Sequence, residues 1–365
     1  MPRGHSDLID SGRGDGYSLS GMRTLTEAVK HEAKELGFDL VGIAQPEPSP
    51  HAARYKAWLA NGYHAEMGYL ARRDAVEKRA DPRFVMQNAR SIVVVGLNYY
   101  PGDHRAHREQ QGKVSRYAWG ADYHDVLLDR LKQLATWLEG RLGREVARRA
   151  YVDFGPLMER ELARRAGLGW FGKNTNLIHP AIGSYFFLGE LLLDVPLTAD
   201  VPFPGNRCGT CTACLDACPT SALVAPGVLD ANRCISYLTI EHRGRIPPAL
   251  RSLTEGWVFG CDICQEVCPW NQRFASPADQ SVFRPARPML DLIDVLSLDQ
   301  EGFRARFRET PLWRAKRRGL LRNAAVVLGN LRAAAAVPAL KAAVQDEDPL
   351  VREHAVWALS QISSG

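Results

Sequence analysis

All eight cysteines of this 365-residue chain fall between Cys208 and Cys268. The first block reads Cys208-x2-Cys211-x2-Cys214-x3-Cys218-Pro219, the second reads Cys261-x2-Cys264-x3-Cys268-Pro269, and Cys234 stands alone between them. The spacing has a chemical cause. An iron–sulfur cubane presents its irons on neighbouring corners, so a short loop with two residues between thiolates wraps three corners. The fourth ligand must then come from elsewhere.

In two-cluster ferredoxins the fourth cysteine of each run serves the other cluster. By that rule Cys208, Cys211, Cys214 and Cys268 hold one [4Fe-4S] centre, and Cys218, Cys261 and Cys264 hold part of a second, with Cys234 as the missing ligand. The second block departs from the usual run because its first cysteine lies far upstream. Zinc also takes paired Cys-x2-Cys ligands, but zinc sites have little need of a three-residue gap and Cys-Pro twice over. A disulfide scaffold would be a short chain behind a secretory leader.

The elements that must position this chemistry can be read from the pattern of the chain. Length suggests two or three domains, and 45% hydrophobic residues are enough for real cores. Residues 1–20 have no apolar leader segment and read as a disordered tail. Ile92-Val93-Val94-Val95 and Tyr185-Phe186-Phe187-Leu188 are too short to span a bilayer, which takes about 20 apolar residues. A soluble cytoplasmic protein is expected, where thiols stay reduced.

From Thr24, Leu25, Val29, Ala33 and Leu36 share one helical face, with Gly37 at the C-cap. Strands follow at Asp39 to Ala44 and Ser91 to Leu97. Asn98-Tyr99-Tyr100-Pro101 is either a polar strand end facing a site or a turn stabilised by Asn and Pro. His104 to Lys113 reads as a surface loop, and Leu127, Leu128, Leu131, Leu134 and Leu138 mark a core-facing helix.

Asp153 falls at a strand-to-helix turn, where it is either an N-cap or a functional acid. Gly155-Pro156 opens a helix that ends at Gly167 or Gly169. The loop Gly172 to Asn176 offers N–H groups and amides to a polar cofactor, and an apolar strand pair runs to Leu193. Pro277 to Pro288 reads as a linker. Beyond it, Arg304, Arg306, Arg308, Arg314, Lys316, Arg317, Arg318 and Arg322 form a basic run interleaved with Phe303, Phe307 and Trp313. Such a run is either a solvated face or a surface for a phosphate backbone with stacking partners. Ala324/Ala355, Leu328/Leu359 and Leu331/Ile362 repeat at a period of 31, with Asp348-Pro349 starting the last helix, as in HEAT-like repeats. A unit this small must pack on the rest.

A ferredoxin-type carrier needs only the cysteine region, whereas most of this chain lies outside it. That favours an enzyme whose clusters feed a second, non-protein centre over a carrier or a scaffold. No Gly-x-Gly-x-x-Gly in a suitable context supports a Rossmann site.

The chain resembles the epoxyqueuosine reductases, which combine cobalamin with iron–sulfur clusters and complete queuosine in tRNA. The resemblance rests on Val152-Asp153, Glu159-Arg160, Gly167-Leu168-Gly169-Trp170, Gly172-Lys173, Gly183-Ser184 through Leu191, both cysteine blocks with Cys234, and the HEAT-like tail. It implies reduction of a wobble-base epoxide by two electrons with loss of water, with Asp153 as proton donor; donation near neutral pH would call for a pKa raised by burial. It also implies cobalamin contacts from Asn174, Thr175 and Asn176, with Ser236, Thr239 and Asn98 as further candidates and no protein histidine on cobalt. The anticodon stem-loop of epoxyqueuosine-containing tRNA would rest on Lys316, Arg317, Arg318 and Arg322. A monomer is expected, with a flavodoxin or ferredoxin as reductant. The other corrinoid iron–sulfur family, the reductive dehalogenases, typically carries a twin-arginine leader and lacks a basic helical tail.

The expected fold is an α/β (α+β) cobalamin-binding catalytic domain over 21–200, a ferredoxin-like module over 201–276, and a basic linker with an all-α HEAT-like repeat over 277–365.

Overall fold

The computed structural model describes residues 19–102, 110–279, 281–283 and 287–363. The tail expected over 1–20 lies outside them except for its last two residues, which already belong to the first helix. The loop expected from His104 to Lys113 lies outside them up to residue 109, and from Gln111 it is a strand rather than a loop.

The strands that position the site are β1 (Leu40–Ala44), β2 (Ser91–Asn98), β3 (Gln111–Val114), β4 (Arg148–Tyr151), β5 (Phe186–Leu193), β6 (Trp257–Phe259) and β7 (Met289–Asp291). The helices are α1 (Leu19–Glu35), α2 (Tyr123–Leu142), α3 (Glu159–Arg165), α4 (Ile235–Ile240), α5 (Lys316–Asn330), α6 (Val337–Ala343) and α7 (Pro349–Ser363). The main sheet has the order β1-β2-β5-β4, and every pairing in it is antiparallel. The catalytic half is therefore α+β and not a parallel α/β fold.

Both faces of this sheet are covered, which is why β2 is buried along its whole length. Alternate residues point to opposite faces. Val93, Val95, Leu191 and Leu193 pack with Leu25, Val29 and Ala33 of α1 and Leu127, Leu131 and Leu134 of α2. Ile92, Val94, Phe186 and Leu192 pack with Leu162 and Ala163 of α3. Burying each Val or Leu in these layers contributes roughly 1.5–3 kcal/mol. α1 ends as its sequence indicates: Gly37 has φ +85°, and Phe38 N–H reaches back to Ala33 O at 3.1 Å.

A second sheet, β6-β3-β7, draws one strand from each of the three regions separated in the sequence. The core beneath it runs from Val114 and Trp119 through Val258 and Leu290 to Leu328 and Ala358. The cysteine region and the C-terminal helices are thus built into the body of the protein.

α5 packs on α7 at a repeat offset of 31, with Ala324, Leu328, Ala355 and Ala358 all buried. The contact is close enough that a Cβ on Gly329 would meet the Trp357 ring at 2.8 Å and Ala358 Cα at 3.0 Å. Phe303 and Phe307 are fully buried beside this unit, so they are core residues and not stacking partners for bases.

Arg322 also leaves the basic run. Its side chain is 1% exposed and donates to the carbonyls of Leu238, His242 and Gly244. Arg317 binds Asp346 with both groups largely covered. Neither guanidinium is available to a phosphate. Replacing Arg322 by Met should lower stability by about 3 kcal/mol or more in denaturant unfolding, because several buried carbonyls lose their donor at once.

Candidate functional site

The cysteines assemble as their spacing requires. Cys214 lies near Cys208, Cys268 and Cys211, and burial together with these neighbouring thiols pushes it up to about 11. Cys268 is coupled in turn to Cys208 and Cys211. In the other set, Cys234 neighbours Cys218, and Cys261 neighbours Cys264 and Cys234. The neighbours divide the eight thiols into two sets of four, with Cys234 beside Cys218, Cys261 and Cys264, although Cys264 also lies near Cys214 of the first set. The chemistry of this donor set fits two iron–sulfur cubanes.

Residues outside the strands of the main sheet grip these loops at three points. Ser184 N–H donates to Asn271 Oδ1 at 2.7 Å, just beyond Cys268. Lys173 Nζ reaches the carbonyls of Gly209 and Cys211, each at 2.8 Å. Asp262, beside Cys261, accepts from Arg116 N–H at 2.8 Å. A Cβ on Gly183 would come within 2.1 Å of Asn271 Oδ1, which accounts for the glycine in the Gly183-Ser184 pair.

Between the sheet and the second thiol group lies a cavity of about 780 Å³. Cys218, Cys234, Cys261 and Cys264 line it together with Asp153, His124 and Arg314. Its volume is in the upper range of small-molecule sites.

Asp153 sits just beyond the end of β4 with φ +59°, and Phe154 N–H closes a tight turn onto Val152 O at 2.6 Å. Its carboxylate caps no helix, since α3 begins only at Glu159 with no side-chain cap. It meets Tyr123 Oη, which donates at 3.0 Å, His124 Nε2 at 3.5 Å and Arg314 Nη1 at 3.8 Å. A backbone held in this sparsely populated region aims the carboxylate into the cavity.

Burial pushes the Asp153 carboxyl up, but His124, Arg314 and Tyr123 together outweigh it and hold the group below its ordinary value. This is opposite to the raised pKa that donation near neutral pH would call for. On His124 the balance runs the other way from burial: burial favours the neutral ring, yet the bond to Asp122, at 2.6 Å, and the nearby Asp153 carboxylate win and raise its pKa. The stabilisation from this charged ring is complete below its ordinary value and fades as pH rises through the raised one. Replacing Asp122 by Asn should bring the imidazole titration, followed by NMR of the ring protons, back down towards the ordinary range.

The remaining candidates divide. Asn174, Thr175, Asn176 and Ser236 line the cavity. Asn174 also ties the loop to the cysteine region, donating to Cys264 O at 3.2 Å. Asn98 does not line it; its amide donates to Ser276 O at 3.0 Å and its carbonyl takes Tyr100 N–H, so it is the turn residue. Thr239 is buried, with its hydroxyl between Ile235 O and Gly260 N–H, and belongs to α4's packing. Tyr123 and His124 were missed in the sequence because nothing local links them to Asp153, and Glu159 was noted only as part of a motif. Arg314 was read only as part of the basic run.

Family models match the "4Fe-4S double cluster binding domain" over residues 207–271, "Epoxyqueuosine reductase QueG, DUF1730" over 79–154 and "HEAT repeats" over 314–364. An epoxyqueuosine reductase from Pseudomonas aeruginosa is 44% identical, covering 94% of this chain and 96% of its own. One from Synechocystis is 46% identical over 77% of this chain and 96% of its own. Among solved structures, an epoxyqueuosine reductase with an epoxyqueuosine-modified tRNA-Tyr stem loop superimposes with a TM-score of 0.86 at 32% identity, covering 93% of this chain and 90% of that one. The Bacillus subtilis enzyme, with its catalytic aspartate loop swung out of the active site, gives a TM-score of 0.85 at 32% identity over 93% of this chain and 90% of that one.

Proposed function

The chain belongs to the epoxyqueuosine reductase family, and from that premise we propose that it reduces epoxyqueuosine in tRNA to queuosine with loss of water. The observation that carries this reading is one cavity whose wall includes both Asp153 with its neighbour His124 and the four thiols Cys218, Cys234, Cys261 and Cys264. Proton and electron sources thus face a shared space.

Two [4Fe-4S] clusters would be held by the two thiol groups. A cobalamin would sit against Asn174, Thr175, Asn176 and Ser236, and when bound it supplies the low-potential chemistry at the epoxide carbon. The amides of Asn174 and Asn176 and the hydroxyls of Thr175 and Ser236 in the wall offer hydrogen-bonding partners to the amide side chains such a group carries. The chain's own residues then do three things. Asp153, with His124 behind it, passes a proton to the epoxide oxygen as the ring opens. Tyr123 and Arg314 fix the carboxylate, and the aromatic wall of Tyr117 and Phe187 limits access of water.

The tRNA would approach over the basic edge of this cavity. Lys316 lines the cavity, and Arg318 is half-exposed. A neighbouring groove of about 930 Å³ is lined by Arg287, Arg304, Arg306 and Arg308. These four, with Lys316 and Arg318, replace Arg317 and Arg322 as the phosphate contacts. Reversing the charge of Arg304 and Arg308 together should weaken binding of the stem-loop and reduce the slope of log affinity against log salt by roughly 1 per lost contact. Unchanged binding would return the groove to a solvated surface. Among the described residues no helix is long and apolar enough to cross a membrane, which agrees with a cytoplasmic enzyme. It would act as a monomer reduced by a flavodoxin or ferredoxin.

The reading is tested by reconstituting the protein anaerobically with iron, sulfide and cobalamin and incubating it with reductant and epoxyqueuosine-containing tRNA. Queuosine in the digested tRNA is the expected product. A reconstituted protein that leaves the epoxide intact would overturn the assignment.

A further inference from the structure

Near Asp153 lie two more acids that the proposed chemistry has not used, one half-buried and one fully buried. Glu190 lies in the middle of β5, opposite Tyr151 of β4. It is 0% exposed, and neither of its carboxyl oxygens has a hydrogen-bond partner. It shares the sheet face of Phe186 and Leu192, which packs against α3. Glu159 opens α3, lines the cavity wall and accepts the backbone N–H of Asp153. One of its oxygens is buried without a partner.

A buried carboxylate with no donor is strongly disfavoured, because nothing replaces the water it has lost. A neutral acid avoids most of that cost. Burial and the charge of Asp153 push Glu159 up to about 8, with Arg160 and Arg79 opposing. Burial, Glu159 and Asp153 all raise Glu190. The lack of donors at the Glu190 oxygens and at one Glu159 oxygen favours the protonated form of both groups, one in the cavity wall and one in the sheet.

We propose that Glu159 and Glu190 form a proton reserve that reloads Asp153 for the second protonation of the reaction; this rests on the function assigned above. The need follows from the balance. Removing the epoxide oxygen as water breaks both of its carbon–oxygen bonds, forms a carbon–carbon double bond, and consumes two electrons and two protons. The electrons come from an external low-potential protein reductant. One proton comes from the His124–Asp153 pair and the second from Glu159, with Glu190 behind it. The final acceptor is the departing oxygen, a far stronger base than any carboxylate, so transfer along this file runs downhill overall. Solvent restores the protons between turnovers. Glu159 and Glu190 act through Asp153, as positioning and supply groups.

The test has a readout apart from turnover. Infrared spectra of the protein without tRNA should contain protonated-carboxyl bands at neutral pH, one of them lost in Glu190→Gln and one, titrating near pH 8, lost in Glu159→Gln. In the wild type, turnover should fall as pH rises through about 8. Each Gln variant should lose roughly ten-fold or more in kcat with KM for tRNA unchanged, and Glu159→Gln should also lose that pH dependence. Glu190→Asp, which keeps an acid, should recover most of the rate. Absence of the bands, or Gln variants with wild-type rate and pH profile, would overturn the proposal. Wild-type activity is measured first: a wild type unable to reduce the epoxide would remove the reaction itself, and this role with it.

Discussion

Replacing Asp153 by Asn should lower turnover of epoxyqueuosine-containing tRNA by about 10²–10⁴-fold, the range typical for a positioned proton donor. The argument is geometric. The Asp153 side chain remains 49% exposed and faces the cavity, while its neighbours are arranged around one oxygen, Oδ2. Asparagine keeps the shape and a hydrogen-bonding oxygen but can neither take the His124 proton nor deliver one. The tight turn at φ +59° should survive, since Asn tolerates that region well. Cluster content and thermal stability should stay near wild type. Full activity in this variant would sink the acid role and leave the turn as a purely structural feature.

Replacing Cys234 by Ala should be as severe for a different reason. Cys234 lies next to Cys218 and Cys261 and in the cavity wall, so its loss removes one of four ligands from the centre nearest the reaction. Iron content after reconstitution should fall from about eight to about four per chain, and turnover should be lost because the electron path is cut. Replacing Cys208 by Ala should remove the other cluster instead and leave the one beside the cavity. A Cys234 variant that retained both clusters would refute the ligand division, and the fourth thiolate would have to be sought elsewhere.

These two residues differ in how readable they were. The cluster ligands follow from spacing, because an iron–sulfur cubane imposes its geometry over a few residues of chain, and even the displaced Cys234 is reached by counting thiolates. α1, β2 and α2 were legible for a similar reason: their apolar periods of 3.6 and 2 report local burial. The tail repeat was legible because α5 and α7 make the same contact twice.

What the sequence did not determine depends on residues far apart in the chain. Arg314 and Arg322 look alike in a basic run, yet one faces the cavity and the other is buried among carbonyls of the loop after α4. Charge density cannot tell them apart, since only the docking of α5 on that loop decides which guanidinium meets water. Asp153 was found from its motif, but the direction of its pKa shift was not legible there. Burial alone would have raised its pKa; Tyr123 and His124 from the start of α2, with Arg314, supply the opposing interactions. Glu190 sits in an apolar strand, and no local pattern says whether a lone acid there points to solvent or to core. The antiparallel sheet, covered on both faces, turned it inward, because each residue of a central strand must face one buried layer or the other.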